Sequence, residues 1–522
     1  MSARASRHED LRRQLPMASL VLLGIVLSFY LGLGSVPLFD LDEGAFSEAT
    51  REMLLRGDYI STFLNGAPRY DKPVLIYWLQ AVSVLTLGVN ELAFRLPSAI
   101  CSTVWVLIVF LFVRRLRGTE AALLATGITA TAAGITVIGR AAIADALLNM
   151  LITAACTSAY LYLTERDPRW LRAAFIAMGF GLLAKGPVAV LVPLAATFLF
   201  SASRRDLGTW WRALFDPVGI ALMLAIAAPW YAAQYWKEGD AFVRGFLLKH
   251  NVDRFSAPMH GFNGSVLFYV PWLFVATLPF MGPLVNVFLR LRAVWQDDLQ
   301  RFCFLWFLFV FAFFSLSGTK LPHYVFYGYT GLFIVMALQV PAIRRPWIAL
   351  LPVAVIFAAL LVLPLGFEHV ASTLRDPYYR EALTDIRAQF STGFYAVCAL
   401  LLAGAIGLIV MRRWSLGIRL VAGGCAVAGI MAGFILPVAG RVQQEPIREA
   451  ARIARENDYR VVMWGLDTPS FIVYTGRFVE KRDPKPGEIA LAKVKRLPEL
   501  PGYETLYRRN GIALVRVKEH PE

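Results

Sequence analysis

The chain is poor in charge. Only 17% of its 522 residues are Asp, Glu, Lys or Arg, against about 25% in ordinary soluble domains. Its hydrophobic share, 57%, is correspondingly high. This composition excludes an ordinary soluble enzyme, a disordered protein and a collagen-like fibre. It is typical of a helical membrane protein that crosses the bilayer several times.

Cysteine is also scarce, which excludes a secreted domain held together by disulfides. Each of the five cysteines falls in an apolar run, and no two have the spacing of a metal or redox motif. We therefore expect them to be small buried side chains. They are Cys101, Cys156, Cys303, Cys398 and Cys425.

Long apolar runs dominate what is present. A helix needs about 20 apolar residues to cross a bilayer. The uncharged stretches predict about 13 spans, at 14–39, 96–113, 121–139, 146–164, 170–184, 186–203, 217–236, 263–289, 302–319, 323–343, 346–367, 388–411 and 420–440. Residues 73–88 are apolar but shorter, so they predict an interfacial helix. The first run is too long for a cleaved signal peptide, so we expect it to stay as an anchor.

The net charge of +15 comes largely from basic clusters between these runs. Because such clusters set membrane orientation, no nucleic-acid partner is expected. They lie at alternate connections, at 4–13, 114–117, 166–172, 204–212, 290–292, 344–345 and 412–413. This parity predicts a cytoplasmic N-terminus and, with an odd number of spans, a C-terminus on the outer face.

The C-terminal segment differs in character from the apolar region, 1–440. Residues 441–522 are rich in charge and predict a small α/β domain. The expected elements are a helix over 445–457, strands over 459–464 and 470–474, and a hairpin over 505–517 around Asn510-Gly511. Because no catalytic constellation is visible in it, we interpret this segment as a cap or docking domain.

The unusual polar groups concentrate in the outward connections, above all in the first loop, 38–95. An acidic cluster of Asp40, Asp42 and Glu43 lies where the first span ends. Such carboxylates can act as a general base, accept hydrogen bonds from a sugar, or help to hold a divalent cation. The alternative is that Asp40 or Asp42 only caps the following helix.

Lys72 lies in the same loop, in Tyr70-Asp71-Lys72-Pro73, directly before the interfacial helix. Proline favours the first position of a helix. A lysine at the start of a helix at headgroup depth suits a lipid-linked phosphate. The alternative is a lysine that anchors the helix to lipid headgroups.

Two further outward connections carry charge. Arg140 and Asp145 flank the ends of the third and fourth spans, where Asp145 could equally cap a helix. Lys185 lies beside Gly186-Pro187 in a tight connection and needs a partner or a ligand.

The remaining outward groups are basic and aromatic. His250, Arg254 and His260 could bind an anion, but the spacing of the histidines makes a poor zinc motif. Lys320 and Tyr324 flank His323, although a tyrosine at this depth is often only an interfacial anchor.

The order of these motifs resembles that of the bacterial GT-C glycosyltransferases, in particular the aminoarabinose (4-amino-4-deoxy-L-arabinose) lipid A transferases and their protein O-mannosyltransferase relatives. The resemblance covers the whole chain. The matching motifs are Leu41-Asp42-Glu43 with Glu48 and Arg51-Glu52-Met53, Tyr70-Asp71-Lys72-Pro73 with Tyr77-Trp78, Gly139-Arg140 with Asp145, Lys185-Gly186-Pro187, and Ser317 to Tyr324. Gly44-Ala45 and Asp71 depart from the family pattern, in which Thr-Arg and Glu are usual.

This resemblance implies a GT-C membrane domain with a periplasmic C-terminal domain in the bacterial inner membrane. It implies transfer, with inversion, from a polyprenyl-phosphate (undecaprenyl-phosphate) sugar to an envelope acceptor such as lipid A or a glycan. Asp42 would be the principal catalytic carboxylate, Glu43 its neighbour and Asp145 a second functional acid. The donor-phosphate or substrate contacts would be Lys72, Tyr70, Arg140, Lys185, His250, Arg254, Lys320 and Tyr324.

Other functions remain open. A protein- or polysaccharide-modifying transferase of the same superfamily would share these motifs. A flippase or transporter of a lipid-linked sugar should show midplane charges and internal repeats, and the sequence shows neither. A nonenzymatic scaffold would not require the acids and Lys72 of the first loop. The sequence leaves open whether a divalent cation binds near Asp42 and Glu43.

Overall fold

The computed structural model describes residues 2–246, 265–373 and 377–519. Most of this part is helical, and a small sheet lies near the C-terminus. In the first half the helices are Ser2–Ile25 with its π-helical continuation Val26–Tyr30, Asp42–Arg56, Leu75–Leu87, Glu91–Thr131, Ala133–Ile138, Asp145–Glu165, Pro168–Lys185, Val188–Ser203, Leu207–Leu214, Pro217–Glu238 and Asp240–Phe242. In the second half they are Tyr269–Ala276, Met281–Leu289, Leu291–Gln296, Asp298–Leu316, Phe326–Gln339, Pro346–Val362, Phe367–Thr373, Pro377–Ala388, Thr392–Val410, Leu416–Ile430, Leu436–Gln443, Glu445–Glu456 and Pro469–Thr475.

The helices confirm a polytopic membrane architecture. Within the described residues, eight helical runs are long and apolar enough to cross a bilayer, and four shorter apolar helices accompany them. The longest, Glu91–Thr131, contains the predicted span 96–113 and the first part of the predicted span 121–139, which continues in Ala133–Ile138. It is interrupted at Gly118, whose φ of 84° only glycine adopts freely. The predicted run 263–289 is likewise divided, into Tyr269–Ala276 and Met281–Leu289.

The five cysteines are free and buried, as expected from their apolar surroundings. Buried aromatic side chains fill the interior of the bundle around them. Trp105 donates its indole N–H to Thr330 Oγ1 at 2.9 Å, and Trp306 donates to the Tyr327 carbonyl at 2.8 Å. The polar edge of each buried indole is therefore satisfied.

The C-terminal segment forms a four-stranded sheet of order β3-β4-β6-β5. Two short strands, β1 (Phe63–Leu64) and β2 (Ala67–Pro68), form a hairpin in the first loop. The C-terminal strands are β3 (Val461–Trp464), β4 (Ile489–Lys493), β5 (Tyr503–Arg509) and β6 (Ile512–Val517). Strands β3 and β4 are parallel, and the other two pairs are antiparallel. The hairpin predicted around Asn510-Gly511 is confirmed, with positive φ at both residues.

The strand predicted over 470–474 is wrong, because Pro469–Thr475 is a helix. Its apolar and β-branched composition favours a strand in isolation. Pro469 instead occupies the first turn of a helix, and Gly476 ends that helix in the left-handed region at φ 69°. Strand β4 was not predicted.

The helix Pro469–Thr475 docks on the helix Asp42–Arg56 of the first loop. Asp40 accepts hydrogen bonds from the backbone N–H of Ser470, at 2.9 Å, and from the Ser470 hydroxyl. The Tyr474 hydroxyl accepts from Leu38 N at 2.7 Å. The C-terminal domain therefore lies directly against the loop that carries the acidic cluster.

A second contact fixes the β1–β2 hairpin to the same domain. The Asn65 side chain donates to the Val479 carbonyl at 2.6 Å and accepts from Val479 N at 2.9 Å. Glu52 accepts from Gly66 N at 3.1 Å, and Arg51, paired with Glu48 at 2.7 Å, donates to the Gly476 carbonyl. The motif Arg51-Glu52 thus holds the first loop and the domain together.

Gly44 allows this close approach. A Cβ at this position would lie 2.5 Å from Ser470 N and would also collide with the Asp40 carboxylate. This contact gives a physical reason for the departure from the Thr-Arg pattern noted at Gly44-Ala45.

We expect Gly44→Ala to destabilise the docked domain by about 1–3 kcal/mol, because the extra methyl group overpacks a rigid contact. The measurement is the thermal unfolding midpoint of the purified protein. Gly404→Ala is the matched control, since a Cβ there meets no atom within 4 Å. Equal midpoints for the two variants would contradict this account of Gly44.

The interface also predicts a pH dependence. Burial raises the pKa of Asp40 from 3.8 to about 7, even though the Ser470 hydrogen bonds oppose this rise. The folded state therefore binds a proton that the unfolded state has released at intermediate pH. This contribution to stability is complete below pH 3.8 and is lost as the pH rises to about 7.

We expect the unfolding midpoint to fall between about pH 5 and about pH 8, with a shallower slope in Asp40→Asn. The measurement is thermal unfolding of both proteins across this range. The same slope in both would show that Asp40 is not the titrating group.

Candidate active site in the first loop

Glu43 and Arg95 form a buried ion pair at the start of the helix Asp42–Arg56. Arg95 Nη2 lies 2.6 Å from Glu43 Oε2, and Nε lies 2.9 Å from Oε1. The Glu43 carboxylate also accepts from Phe39 N at 2.9 Å and from Ala142 N at 2.7 Å. Burial alone would raise the pKa of Glu43, but Arg95 and these hydrogen bonds outweigh it and lower the pKa.

Arg95 uses all of its N–H groups in this arrangement. Besides Glu43, it donates to the carbonyls of Leu33 at 3.1 Å, Val36 at 2.5 Å and Pro37 at 2.8 Å. The guanidinium therefore ties together the end of the first apolar helix and the start of the first loop. Sequence reasoning missed Arg95, because its partner lies 52 residues away.

Asp42 is placed differently from its neighbour. It is exposed in the first turn of its helix, where Leu41 occupies the N-cap position, and no side-chain cap is found there among the described residues. The capping alternative is thus not what the structure shows. Asp42 lies close enough to the buried Arg69 that it helps to raise the pKa of that guanidinium against the opposing effect of burial.

Arg69 is a buried cation that contacts several groups of the first loop near Asp42. Its guanidinium donates to the Ala45 carbonyl at 2.6 Å and to Asp71 Oδ2 at 3.2 Å, and it lies 5.0 Å from the centroid of the Phe46 ring. Asp42 and Asp71 therefore both lie near this buried guanidinium.

Tyr70 and Lys72 lie on the same stretch of the loop. The Tyr70 hydroxyl donates to Glu238 Oε2 at 2.9 Å, and burial together with this bond raises the pKa of Tyr70 to about 12. Lys72 is half-buried and donates to the Asp71 carbonyl at 2.9 Å, just before the helix Leu75–Leu87. Both residues lie in the segment before the short apolar helix, but Pro73 is not its first residue, because the helix begins at Leu75.

Arg140 is buried and donates Nη2 to the Leu31 carbonyl at 2.7 Å. Its Nη1 has no hydrogen-bond partner within the ranges that the structure describes. Burial, with Arg95 nearby, lowers the pKa of Arg140 to about 10. A buried guanidinium with an unsatisfied N–H is costly, and an anion would relieve that cost.

Asp145 and Lys185 form a second buried ion pair. Lys185 Nζ lies 2.7 Å from Asp145 Oδ1, and the Tyr327 hydroxyl lies 2.7 Å from Nζ and 2.8 Å from Oδ1. His323 Nε2 lies 3.9 Å from the same carboxylate oxygen. The partner expected for Lys185 is therefore Asp145.

Tyr327 was not among the predicted residues, although one signal could have identified it. It follows His323 by four positions, so the two share a helical face. Tyr324 lies close by, with its ring centroid 5.8 Å from Lys185 Nζ. Lys320 is buried and donates to the Ser317 carbonyl at 2.6 Å.

The predicted residues thus form two groups. The first-loop group comprises Asp42, Glu43, Tyr70, Lys72 and Arg140, and the Asp145 group comprises Asp145, Lys185 and Tyr324. Lys320, four residues before Tyr324 in the chain, is bound to the Ser317 carbonyl. The connection 139–145 links them, because it carries Arg140 and Asp145 at its ends and is held by Glu43 at Ala142. His250 and Arg254 lie outside the described residues.

The donor atoms do not fit a divalent cation between Asp42 and Glu43. Both Glu43 oxygens already accept from Arg95 and from backbone N–H groups. Within 2–246, 265–373 and 377–519, no three His, Cys, Asp or Glu side chains are grouped so that they could hold a metal ion.

The ion pair predicts that substitutions of Glu43 and of Asp42 have different effects on the stability of the protein. Glu43→Ala leaves Arg95 buried without its carboxylate, so we expect a loss of stability of about 3–5 kcal/mol. Asp42→Asn changes an exposed side chain and should alter stability by less than about 0.5 kcal/mol. Thermal unfolding of the two variants measures the difference, and a stable Glu43→Ala protein would contradict the structural role of the pair.

The sequence of this chain is similar to those of several known glycosyltransferases. Residues 71–232 match the family model described as dolichyl-phosphate-mannose-protein mannosyltransferase. An undecaprenyl phosphate-alpha-4-amino-4-deoxy-L-arabinose arabinosyl transferase of Shewanella sediminis is 27% identical over 336 residues, 62% of this chain and 60% of that protein. The protein of the same name from Pectobacterium carotovorum is 28% identical over 440 residues, 80% of this chain and 76% of that protein.

Solved structures share the fold. The crystal structure of ArnT from Cupriavidus metallidurans bound to undecaprenyl phosphate has a TM-score of 0.78 at 20% identity, and covers 95% of this chain and 97% of that chain. This likeness extends over both the helical bundle and the C-terminal domain. The chain is therefore similar in sequence to the aminoarabinose arabinosyl transferases and shares the fold of ArnT, in agreement with the resemblance indicated by its motif order.

Proposed function

We propose that this protein transfers a sugar from an undecaprenyl-phosphate carrier to an envelope acceptor such as lipid A, with inversion at the anomeric carbon. The names of the relatives, which include undecaprenyl phosphate and aminoarabinose, support this donor. The observation that carries the proposal is the pairing of an exposed Asp42 with a rigid support, the buried Glu43–Arg95 pair directly behind it.

The reaction requires cations at the leaving phosphate and a group that acts on the acceptor. An acceptor oxygen forms a bond to the anomeric carbon while the bond from that carbon to the carrier phosphate breaks, and the carrier leaves as undecaprenyl phosphate. Fixed cations stabilise the negative charge that develops on the leaving oxygen. Lys72 and Arg140 are the proposed contacts, since Arg140 keeps a buried N–H without a partner in the described structure.

Asp42 has one of two roles, which depend on the acceptor. If the acceptor is a hydroxyl group, Asp42 takes its proton as the new bond forms. If the acceptor is a phosphate oxygen, it is already ionised, and Asp42 orients the reacting groups. In either case we assign Glu43 to positioning, because its oxygens are occupied by Arg95, Phe39 and Ala142.

The Asp145 group supports the sugar side of the site. Asp145 holds Lys185 and Tyr327 in one network, and the Tyr324 ring lies 5.8 Å from Lys185 Nζ. We propose that this network orients the sugar, with Tyr70 as a further contact. His250 and Arg254 stay predicted contacts.

For the membrane topology, we propose 13 spans, with the N-terminus in the cytoplasm and residues 441–522 in the periplasm. The support comes from the seven basic clusters, which all lie in alternate connections and so on the same side of the membrane. Eight helices of the described chain are long and apolar enough to cross a bilayer, which supports several spans.

A protein acceptor is the second candidate. It is favoured by one observation, the match of residues 71–232 to the mannosyltransferase model. A flippase is less well supported, because the buried Asp145–Lys185 pair lies at the ends of two helices rather than at their centres.

The function predicts the behaviour of two variants. Asp42→Asn and Lys72→Ala should reduce transfer at least about 100-fold without a large change in stability, because each removes a group that acts in the transition state. The measurement is transfer from undecaprenyl-phosphate aminoarabinose to lipid A by the purified protein in lipid nanodiscs. Asp458→Asn and Lys485→Ala, on the exposed surface of the C-terminal domain, are the matched controls. Full transfer by both site variants would refute the assignment.

The topology predicts the pattern of cysteine labelling in intact cells. Ala67→Cys and Lys485→Cys should react with a membrane-impermeant maleimide, whereas Gly208→Cys, in the basic connection 204–212, should react only after the cells are permeabilised. All three positions are exposed, and the five native cysteines are buried, so the background should be low. Labelling of Gly208→Cys in intact cells would invert the proposed orientation.

A further inference from the structure

A cleft lies where the C-terminal domain meets the first loop. Asp40 and Leu41 form one wall, Gln443 lies at the end of the last long helical run, and the sheet contributes Lys493 and Lys495. The cavity volume is about 310 Å³. This is within the range of sites that hold small polar ligands.

The charges in this cleft favour an anion. Lys493 ends strand β4, Lys495 follows shortly after it, and both are exposed. Two carboxylates are present, but each is engaged by other groups. Asp40 accepts two hydrogen bonds from Ser470, and Asp467 pairs with Lys481 at 2.6 Å.

The cleft adjoins the proposed reacting centre. Leu41 lines it, and Asp42 is the next residue, so the two Cα atoms lie within about 4 Å of each other. The wall of the cleft is therefore continuous in the chain with the exposed Asp42. The lysines of the cleft are distinct from Lys72 and Arg140, which we assigned to the donor phosphate, so a second anion can bind at the same time.

We propose that this cleft binds a phosphate group of the acceptor lipid, held by Lys493 and Lys495 beside Leu41. This inference rests on the proposed function, since it supplies the acceptor subsite of that reaction. The ligand class is a phosphorylated saccharide lipid. The C-terminal domain thereby contributes directly to acceptor recognition.

The test is a binding measurement that does not depend on turnover. Full-length protein in neutral nanodiscs is titrated with bis-phosphorylated lipid A and with enzymatically dephosphorylated lipid A. We expect the phosphorylated form to bind at least about tenfold more tightly, because its phosphate forms charge-assisted hydrogen bonds with the two lysines. The K493Q/K495Q variant should lose this preference.

Two controls define the alternatives. K485Q/K518Q removes the same charge from elsewhere on the domain and should keep the preference. Phosphatidylglycerol and inorganic phosphate serve as competitors, and neither should displace lipid A at equal concentration. Equal displacement by either would show a general anion site and overturn the proposal, as would an unchanged affinity in K493Q/K495Q.

Transfer kinetics separate this inference from the proposed function. In K493Q/K495Q the KM for lipid A should rise about tenfold or more, with the KM for the donor unchanged. If the wild type binds phosphorylated lipid A through these lysines but transfers no sugar, the site stands and the proposed function fails. If the wild type transfers sugar and the variant keeps its KM for lipid A, the site fails and the function stands.

Discussion

Arg95 lies where the first apolar helix, the first loop and the connection 139–145 meet. Its five N–H groups bind the Glu43 carboxylate and three backbone carbonyls, and Glu43 in turn binds Ala142 N. A buried ion pair of this kind is strongly destabilised when one partner is removed. This constraint fixes the direction in which the helix Asp42–Arg56 begins, and so the position of the exposed Asp42. It also fixes the connection that carries Arg140 and Asp145.

The start of the helix Asp42–Arg56 also supports the C-terminal domain. Gly44 leaves room for the N-terminus of the helix Pro469–Thr475, and Asp40 binds that N-terminus through Ser470. The hydrogen bonds from Ser470 partly offset the cost of burying the Asp40 carboxyl group. The domain is therefore seated beside Asp42, and the cleft with Lys493 and Lys495 results from this placement. A domain without a catalytic constellation of its own thus completes the surroundings of the site.

The sequence predicted a helical bundle with several membrane spans, because apolar length is a local signal. It also identified Asp145 and Lys185, since charges in tight connections at the membrane boundary need partners. It did not predict which groups would pair. Glu43 and Arg95 are separated by 52 positions, and Lys185 and Asp145 by 40, so only the packed bundle brings them together. For this reason Glu43 was predicted as a catalytic neighbour, although the structure favours a positioning role.

The mistaken strand at 470–474 has a similar origin. Its side chains are apolar and β-branched, which favours a strand. The segment is a helix because it packs against Asp42–Arg56 and is flanked by Pro469 and Gly476. Propensity is a weak signal where tertiary contacts oppose it. Tyr327 was missed because a tyrosine in an apolar run is usually part of the core, and its hydrogen bonds to Asp145 and Lys185 depend on two distant helices.

The central claim is that Asp42, held by the Glu43–Arg95 pair, acts in sugar transfer to an envelope lipid. The most direct measurement is mass spectrometry of lipid A from cells that lack the gene and carry either the wild-type or the Asp42→Asn protein at equal abundance. The account predicts lipid A with an added pentosamine mass in cells with the wild-type protein, and its absence in the deletion and in Asp42→Asn. Identical lipid A in all three strains, without accumulation of a polyprenyl-phosphate sugar, would contradict it.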